Sequence, residues 1–351
     1  MATALERGAT VITWNGESQQ FSWQDSFFQG SRLRLDVPPP LDSPPPQDLF
    51  KRILREVSRE AQASTSIERQ FFNAGTQAGG VLNPSNRGKL GLGYSTSGNE
   101  PVTMTFRRRT DSHLLIIGKE EEAALDLLII AMLEQATHHP PAQVQFYAID
   151  LSLENAIEKY VGSAFELLRQ SLPQYFPRPV VKLRGMRDEL PRLLTAIGDE
   201  LEKREDGAGT TSTLYLFFHG LQFAEKMLQK SPVRSENTLS RDAAQNLSYI
   251  LHKGSRMDIH TLIWSDKGSS LEAIFGNDVL HCFDYRVALP MSSREDVAKV
   301  LERSDAGAPG QKQAFFFSRD KDGFEKFRPY SVPSQAWLQS AITKFQQQGF
   351  S

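Results

Sequence analysis

The chain has 351 residues, 39% of them hydrophobic, with 40 basic against 42 acidic side chains and a formal net charge of -2. That is enough apolar material for one large or two small α/β domains, and it excludes global disorder and a uniformly basic nucleic-acid surface. A single cysteine, Cys282, rules out an internal disulfide and fits a reducing compartment. No signal peptide or membrane span is expected, so membrane attachment would come through another segment or a partner.

In chain order, "ATVITWNGESQQFSW" reads as two short strands around Asn15-Gly16, because both residues tolerate positive φ. The proline-rich stretch Val37 to Gln47 is a stiff connection, and Leu49, Phe50, Ile53, Leu54, Val57 and Ala61 recur at helical spacing after it. Residues 63 to 88 are polar and mixed, which suits a long loop or a short helix. From about Leu90 the pattern alternates. Strands are predicted near Val102–Phe106, Leu114–Ile117, Val144–Ile149, Leu214–Phe218 and Thr261–Trp264. Helices are predicted near Glu120–Ala136, Ser163–Gln170, Asp188–Lys203 and Ala243–His252. That rhythm specifies a mostly parallel sheet with helices on both faces. "FDYRVALP" and "QAFFFS" read as closing strands. A helix from Ser334 then carries Trp337, Leu338, Ile342 and Phe345 on one side.

Six segments have a specific order: "LGLGYSTSGNEPVTMTFRRRTDSHLLIIG", "VQFYAID" ending in Asp150, "LPRLLTAIGDELEKRED" with Arg204, "LYLFFHGLQ", "LSYILHKGSRMDIHTLIWSD", and the pair "FDYRVALPMSSREDVAKVLERSDA" and "APGQKQAFFF". Over residues 88 to 333 this order resembles the motor domain of the FtsK/SpoIIIE family of P-loop ATPases. The resemblance implies a RecA-like fold over 89–333, a proline-rich linker and helix over 37–88, and a C-terminal helix over 334–351. Residues 1–36 look like the terminal hairpin of a preceding motor domain, or else an N-terminal extension. The whole is similar to a downstream domain of tandem type VII secretion ATPases, and so to a segment of a longer protein.

The departures from that family carry the functional expectation. A phosphate loop needs glycines, a lysine against the β/γ phosphates and a hydroxyl on magnesium. Here the loop from Gly118 reads "GKEEEAAL", with Ala124 in the lysine position and Leu125 in the Ser/Thr position. Lys119 is out of register and reads as a surface lysine. Glu120, Glu121 and Glu122 take the helix start and are expected to satisfy its dipole and free N–H groups and to stabilise it. At the Walker B strand end stand His219 and Gly220, and at the sensor strand Ser265 and Asp266. His219 reads either as a structural hydrogen-bonding group or as a leftover ligand or base. Neither ATP nor magnesium is expected to bind; ATP binding without turnover is the weaker option. His138-His139 and the other histidines lack metal-ligand spacing, and Cys282 beside His281 reads as a buried thiol. Arg107, Arg108 and Arg109 are either phosphate or DNA contacts or a solvated charge run. The expected role is a non-catalytic domain for substrate docking, assembly or regulation in a secretion machine. Its partners would be other motor domains of the same protein and a protein substrate or adaptor, with any oligomer formed through the parent protein. The alternative is a ring component of a DNA translocase or DNA-defence machine.

Overall fold

A computed structural model describes residues 11–15, 20–24 and 32–33 as backbone, and residues 87–97, 100–153, 157, 160–228, 241–291, 293–321, 323–332 and 334–347. The chain divides into two units, Met1–Ala61 and Gln62–Ser351. The smaller contains β1 (Val11–Asn15), β2 (Gln20–Gln24) and β3 (Arg32–Leu33), an antiparallel sheet in that order. Asn15 pairs with Gln20, so the connection is longer than a two-residue turn at Asn15-Gly16. The predicted proline-rich connection and the helix after it lie outside the described residues.

The larger unit is built on one ten-stranded sheet. Its strands are β4 (Lys89–Ser95), β5 (Pro101–Thr105), β6 (Leu114–Ile117), β7 (Val144–Asp150), β8 (Val181–Lys182), β9 (Thr213–His219), β10 (Ile259–Ser265), β11 (Tyr285–Ala288), β12 (Ala314–Ser318) and β13 (Phe324–Pro329). The order across the sheet is β5-β4-β13-β12-β11-β6-β10-β9-β7-β8. The body from β11 to β8 is parallel, and the wing from β12 to β5 is antiparallel. β6 is a continuous apolar run, LLII, buried on both faces as a central parallel strand must be.

The helices are α1 (Glu121–His138), α2 (Ala164–Ser171), α3 (Met186–Glu205), α4 (Leu221–Leu228), α5 (Ala243–Lys253), α6 (Gly268–Phe275), α7 (Arg294–Leu301) and α8 (Gln335–Gln347). Every residue of α1 from Ala124 to Ala136 is buried, which is what a helix apolar on all sides requires. Apolar residues of α3 to α7 form one core with Leu214, Leu216 and Phe218 of β9 and Ile259 and Ile263 of β10. The alternate residues, Tyr215, Phe217 and His219 of β9 and Phe146 and Asp150 of β7, point to the face that carries α1 and α2. On α8 the predicted stripe Trp337, Leu338, Ile342 and Phe345 is buried, with Phe345 against Tyr175. The strands β4, β8 and β13 and the helices α4, α6 and α7 were not anticipated. β4 contains two glycines, β13 is charged, and each of the three helices has only eight residues.

Two buried histidines set an acid limit on this core. His113 Nδ1 accepts from the Thr261 N–H at 2.9 Å, so Nε2 carries the proton and donates to the Leu251 carbonyl at 3.0 Å. His260 Nδ1 donates to the Ser112 carbonyl at 2.9 Å. Burial holds His113 at about 3 and His260 at about 4, so both are neutral in the fold. An unfolded chain takes up these protons as pH falls through 6.5, and the folded chain does not. Stability is therefore lost with acid, at up to about 1.4 kcal/mol per histidine per pH unit. Urea midpoints are expected to drop between pH 7 and pH 5; equal midpoints would contradict neutral burial of this pair.

Candidate functional site

The carboxyl ends of β6, β10, β9 and β7 form the site. In such sheets ligands bind outside those ends, where the connections change direction. Gly118 follows β6 with φ +140, and a Cβ there would lie 2.6 Å from the Leu289 Cβ. Its N–H donates to the Ser265 carbonyl at 3.1 Å, and the next N–H, of Lys119, donates to Pro290 at 3.0 Å. The Glu121 N–H donates to the Lys119 carbonyl at 2.9 Å. Only Lys119 and Glu120 separate Gly118 from the first helical residue. Three N–H groups of this short connection are thus committed to the chain's own carbonyls.

Register explains the side chains that meet above it. Asp150 lies beside His219, and His219 beside Trp264, in adjacent parallel strands. Period-2 alternation turns all three toward α1. The Trp264 ring stacks on His219 at 4.5 Å between centroids, and its Nε1–H donates to the Gly118 carbonyl at 3.0 Å. His219 is fully buried, and its Nδ1 lies 3.2 Å from Asp150 Oδ1. Asp150 also accepts from Ser152 Oγ at 2.7 Å and from Ser163 Oγ. Burial works against ionisation of Asp150, but the bonds from His219, Ser163 and Ser152 outweigh it and bring the carboxyl to about 2. An ionised Asp150 only accepts, so His219 Nδ1 donates. His219 Nε2 then faces Glu121 Oε1 at 3.9 Å, and among the described residues neither of these two buried atoms has a hydrogen-bond partner.

The other predicted residues are dispersed around this row. Ala124 and Leu125 are packed into the core one turn inside α1, and Lys119 is exposed. Gly220, at φ +89, turns β9 into α4 beneath Phe223. Ser265 donates to the Lys267 carbonyl at 3.0 Å. Asp266 donates its N–H to Gln222 Oε1 at 3.3 Å, while its buried Oδ1 has no hydrogen-bond partner. Cys282 is a buried thiol, pushed up to about 11 by burial. Among the described residues no group of three His, Cys, Asp or Glu side chains could hold a metal ion.

One expectation needs revision. Glu120 occupies the N-cap position of α1, yet its side chain makes no capping hydrogen bond. Burial raises the carboxyl pKa of Glu120 and Glu121, partly countered by the Lys312 backbone N–H for Glu120 and by His219 for Glu121. Arg107, Arg108 and Arg109, read as phosphate or DNA contacts or as a solvated charge run, lie apart from this site. They lie at the amino ends of the parallel strands, where Arg108 pairs with Asp258 at 3.1 Å. Arg109 is held by both oxygens of Asp320 at 2.6 and 2.7 Å and by Asp284 at 2.9 Å.

The sequence reading gave no site role to Asp150, Trp264 or three exposed apolar residues. Leu153, Val161 and Phe223 are 59%, 84% and 37% exposed, the exposed large hydrophobics among the described residues. All three follow the carboxyl ends of β7 and β9. The signal for Asp150 was its place at the end of a strand; the rim becomes visible only with burial.

A parallel body with strand order β11-β6-β10-β9-β7, and α1 following β6, defines the RecA-like P-loop ATPase fold. Solved structures share it. The chain is similar to EssC ATPases 2 and 3 from Geobacillus thermodenitrificans, with 10% identity, TM-score 0.57, and 76% of this chain against 50% of that one. It is similar to the cytoplasmic domain of the type VII secretion ATPase EccC from Thermomonospora curvata, with 15% identity, TM-score 0.55, and 76% against 33%. It is also similar to ATPases 2 and 3 of that EccC in complex with a signal sequence peptide, with 14% identity, TM-score 0.53, and 75% against 47%. The chain thus spans a third to a half of the length of these three structures. No protein-family model and no curated protein matches the sequence.

Above the ordinary carboxylate value of 4.5, an acid with a raised folded pKa costs stability when it ionises. A Glu120→Gln/Glu121→Gln variant is therefore expected to melt no lower than the parent at pH 7, with any gain vanishing as pH falls below 4.5. A clearly lower melting temperature at pH 7 would restore the capping role.

Proposed function

We propose that this is a non-catalytic domain of a tandem motor protein, which docks an apolar helical segment at the rim of its former nucleotide cleft. The observation that carries the docking is the exposure of Leu153, Val161 and Phe223, which follow the ends of β7 and β9 along the chain. Large apolar side chains left in water after the carboxyl ends of such a sheet, where ligands bind, suit a partner. The comparison structure of EccC with a signal sequence peptide supports such an occupant. The loss of hydrolysis is supported by Ala124, Leu125 and His219 in place of the lysine, hydroxyl and carboxylate. It is also supported by the N–H groups already bonded within the Gly118–Glu121 connection. The domain then acts through other motor domains of its parent protein, in the cytoplasm or at the inner face of a membrane reached by other segments. The DNA-translocase reading has less support, since Arg108 and Arg109 are paired with carboxylates away from the cleft.

The test uses labelled amphipathic helical peptides with leucines at i, i+3, i+4 and i+7. Changing Phe223→Ser and Val161→Ser is expected to weaken binding about tenfold or more, as loss of buried apolar anchors does. Val161→Ser alone should leave melting nearly unchanged, because that side chain is 84% exposed. Equal affinity in the double variant, or no binding of any peptide, would overturn the docking role.

A further inference from the structure

The connection from β7 to α2 is held from α1, β7 and α8. The Val161 N–H donates to Gln335 Oε1, on the first residue of α8, at 2.7 Å. Its neighbours are fixed elsewhere. Tyr160 is buried, and its hydroxyl donates to Asp126 of α1 at 3.2 Å. Ser163 donates to Asp150 at the end of β7 and accepts from the Glu166 N–H at 3.3 Å, which caps α2. The bond to Gln335 is of another kind. A buried N–H must find a partner inside the protein, but this bond lies at an exposed site, where water would satisfy the donor. Nor does it serve the packing of Val161, whose side chain is 84% exposed. Its effect is to fix the place from which an apolar side chain is presented to solvent.

α8 holds the far end of α2 as well. Gln346 donates from Nε2 to the carbonyl of Ser171, the last residue of α2, at 2.7 Å. Positions 335 and 346 are about three helical turns apart, so the two glutamines lie on one side of α8 and bracket α2. Phe345 meets Tyr175, and the Val332 N–H donates to Asp126 at 3.0 Å, which fixes α8 and the chain leading into it.

We propose that Gln335 is a positioning residue of the docking rim: through its bond to the Val161 N–H, α8 holds the valine where an apolar helical segment meets it. This rests on the docking reading above and adds the element that governs it. Preorganising an anchor raises affinity without a new contact, because less freedom is lost on binding. The effect of Gln335 on docking passes through Val161, and a double-mutant cycle reads such a dependence.

The labelled leucine peptides supply the assay. Gln335→Met keeps the length of the side chain and removes the acceptor; it is expected to weaken binding about three- to tenfold, the worth of one hydrogen bond. Gln335→Glu still accepts and is expected to restore parental affinity. In a Val161→Ser background, Gln335→Met should cause no further loss. Parental affinity in Gln335→Met, or an equal loss from it in both backgrounds, would overturn the positioning role and leave docking intact. If no peptide binds, docking itself fails, and the hold of α8 on Val161 is judged on the free chain by amide hydrogen exchange. Faster exchange of the Val161 N–H in Gln335→Met than in the parent, slowed again in Gln335→Glu, supports that hold; equal exchange overturns it.

Discussion

Helix α1 is buried from Ala124 to Ala136, so the polar side chains of that stretch need partners inside the domain, and those partners tie it to the rest of the architecture. Asp126 accepts from the Tyr160 hydroxyl at 3.2 Å and the Val332 N–H at 3.0 Å. Glu134 accepts from the Gly91 N–H at 2.7 Å, tying α1 to the antiparallel wing. Gln135 donates to the Lys89 carbonyl at 2.6 Å and accepts from the Tyr215 hydroxyl at 2.9 Å, tying it to β4 and β9. Removing one member of such a set leaves another buried and unsatisfied, which is the costly case. With its body fixed at these points, α1 presents its first turn to the ends of β7, β9 and β10.

In the proposed non-catalytic reading, the chain supplies for itself at that end much of what a nucleotide would bring. Glu121 places negative charge beside the helix start, where a phosphate would otherwise be favoured. Trp264 lies between His219 and the Gly118 carbonyl and joins two strand ends that a bound ligand would bridge. Asp150 anchors His219 from the other side. The result is a row of interacting groups from β6 to β7, with apolar side chains exposed at its far end. Polar atoms left unpaired in the middle of the row and apolar surface at its edge are both properties of a surface that meets a partner.

How much of this was legible in the sequence depended on range. β6 was read at its observed bounds, and β7, β9, β10, α1 and α2 to within a few residues, because continuous apolar runs and helical spacing are local signals. The order of six segments pointed to the fold before any coordinates. Glycine-interrupted β4 and charged β13 carried no such local signal. The site was legible in part. His219, Asp266 and the glutamates were singled out one by one, but their meeting depends on which strands are neighbours. The Asp150–His219–Trp264 row exists because β7, β9 and β10 are adjacent in register, which no local pattern encodes. The carboxylate partners of the arginines were hidden for the same reason: Asp258, Asp284 and Asp320 are distant in sequence and close in space.

The central claim is that the chain's own side chains and main-chain bonds occupy the niche in which a P-loop fold holds phosphate and magnesium. Isothermal titration of the full chain with ATP and with ADP, each with and without magnesium, tests it most directly. The account predicts no saturable heat and no dependence on magnesium. Saturable, magnesium-dependent binding of either nucleotide would contradict it.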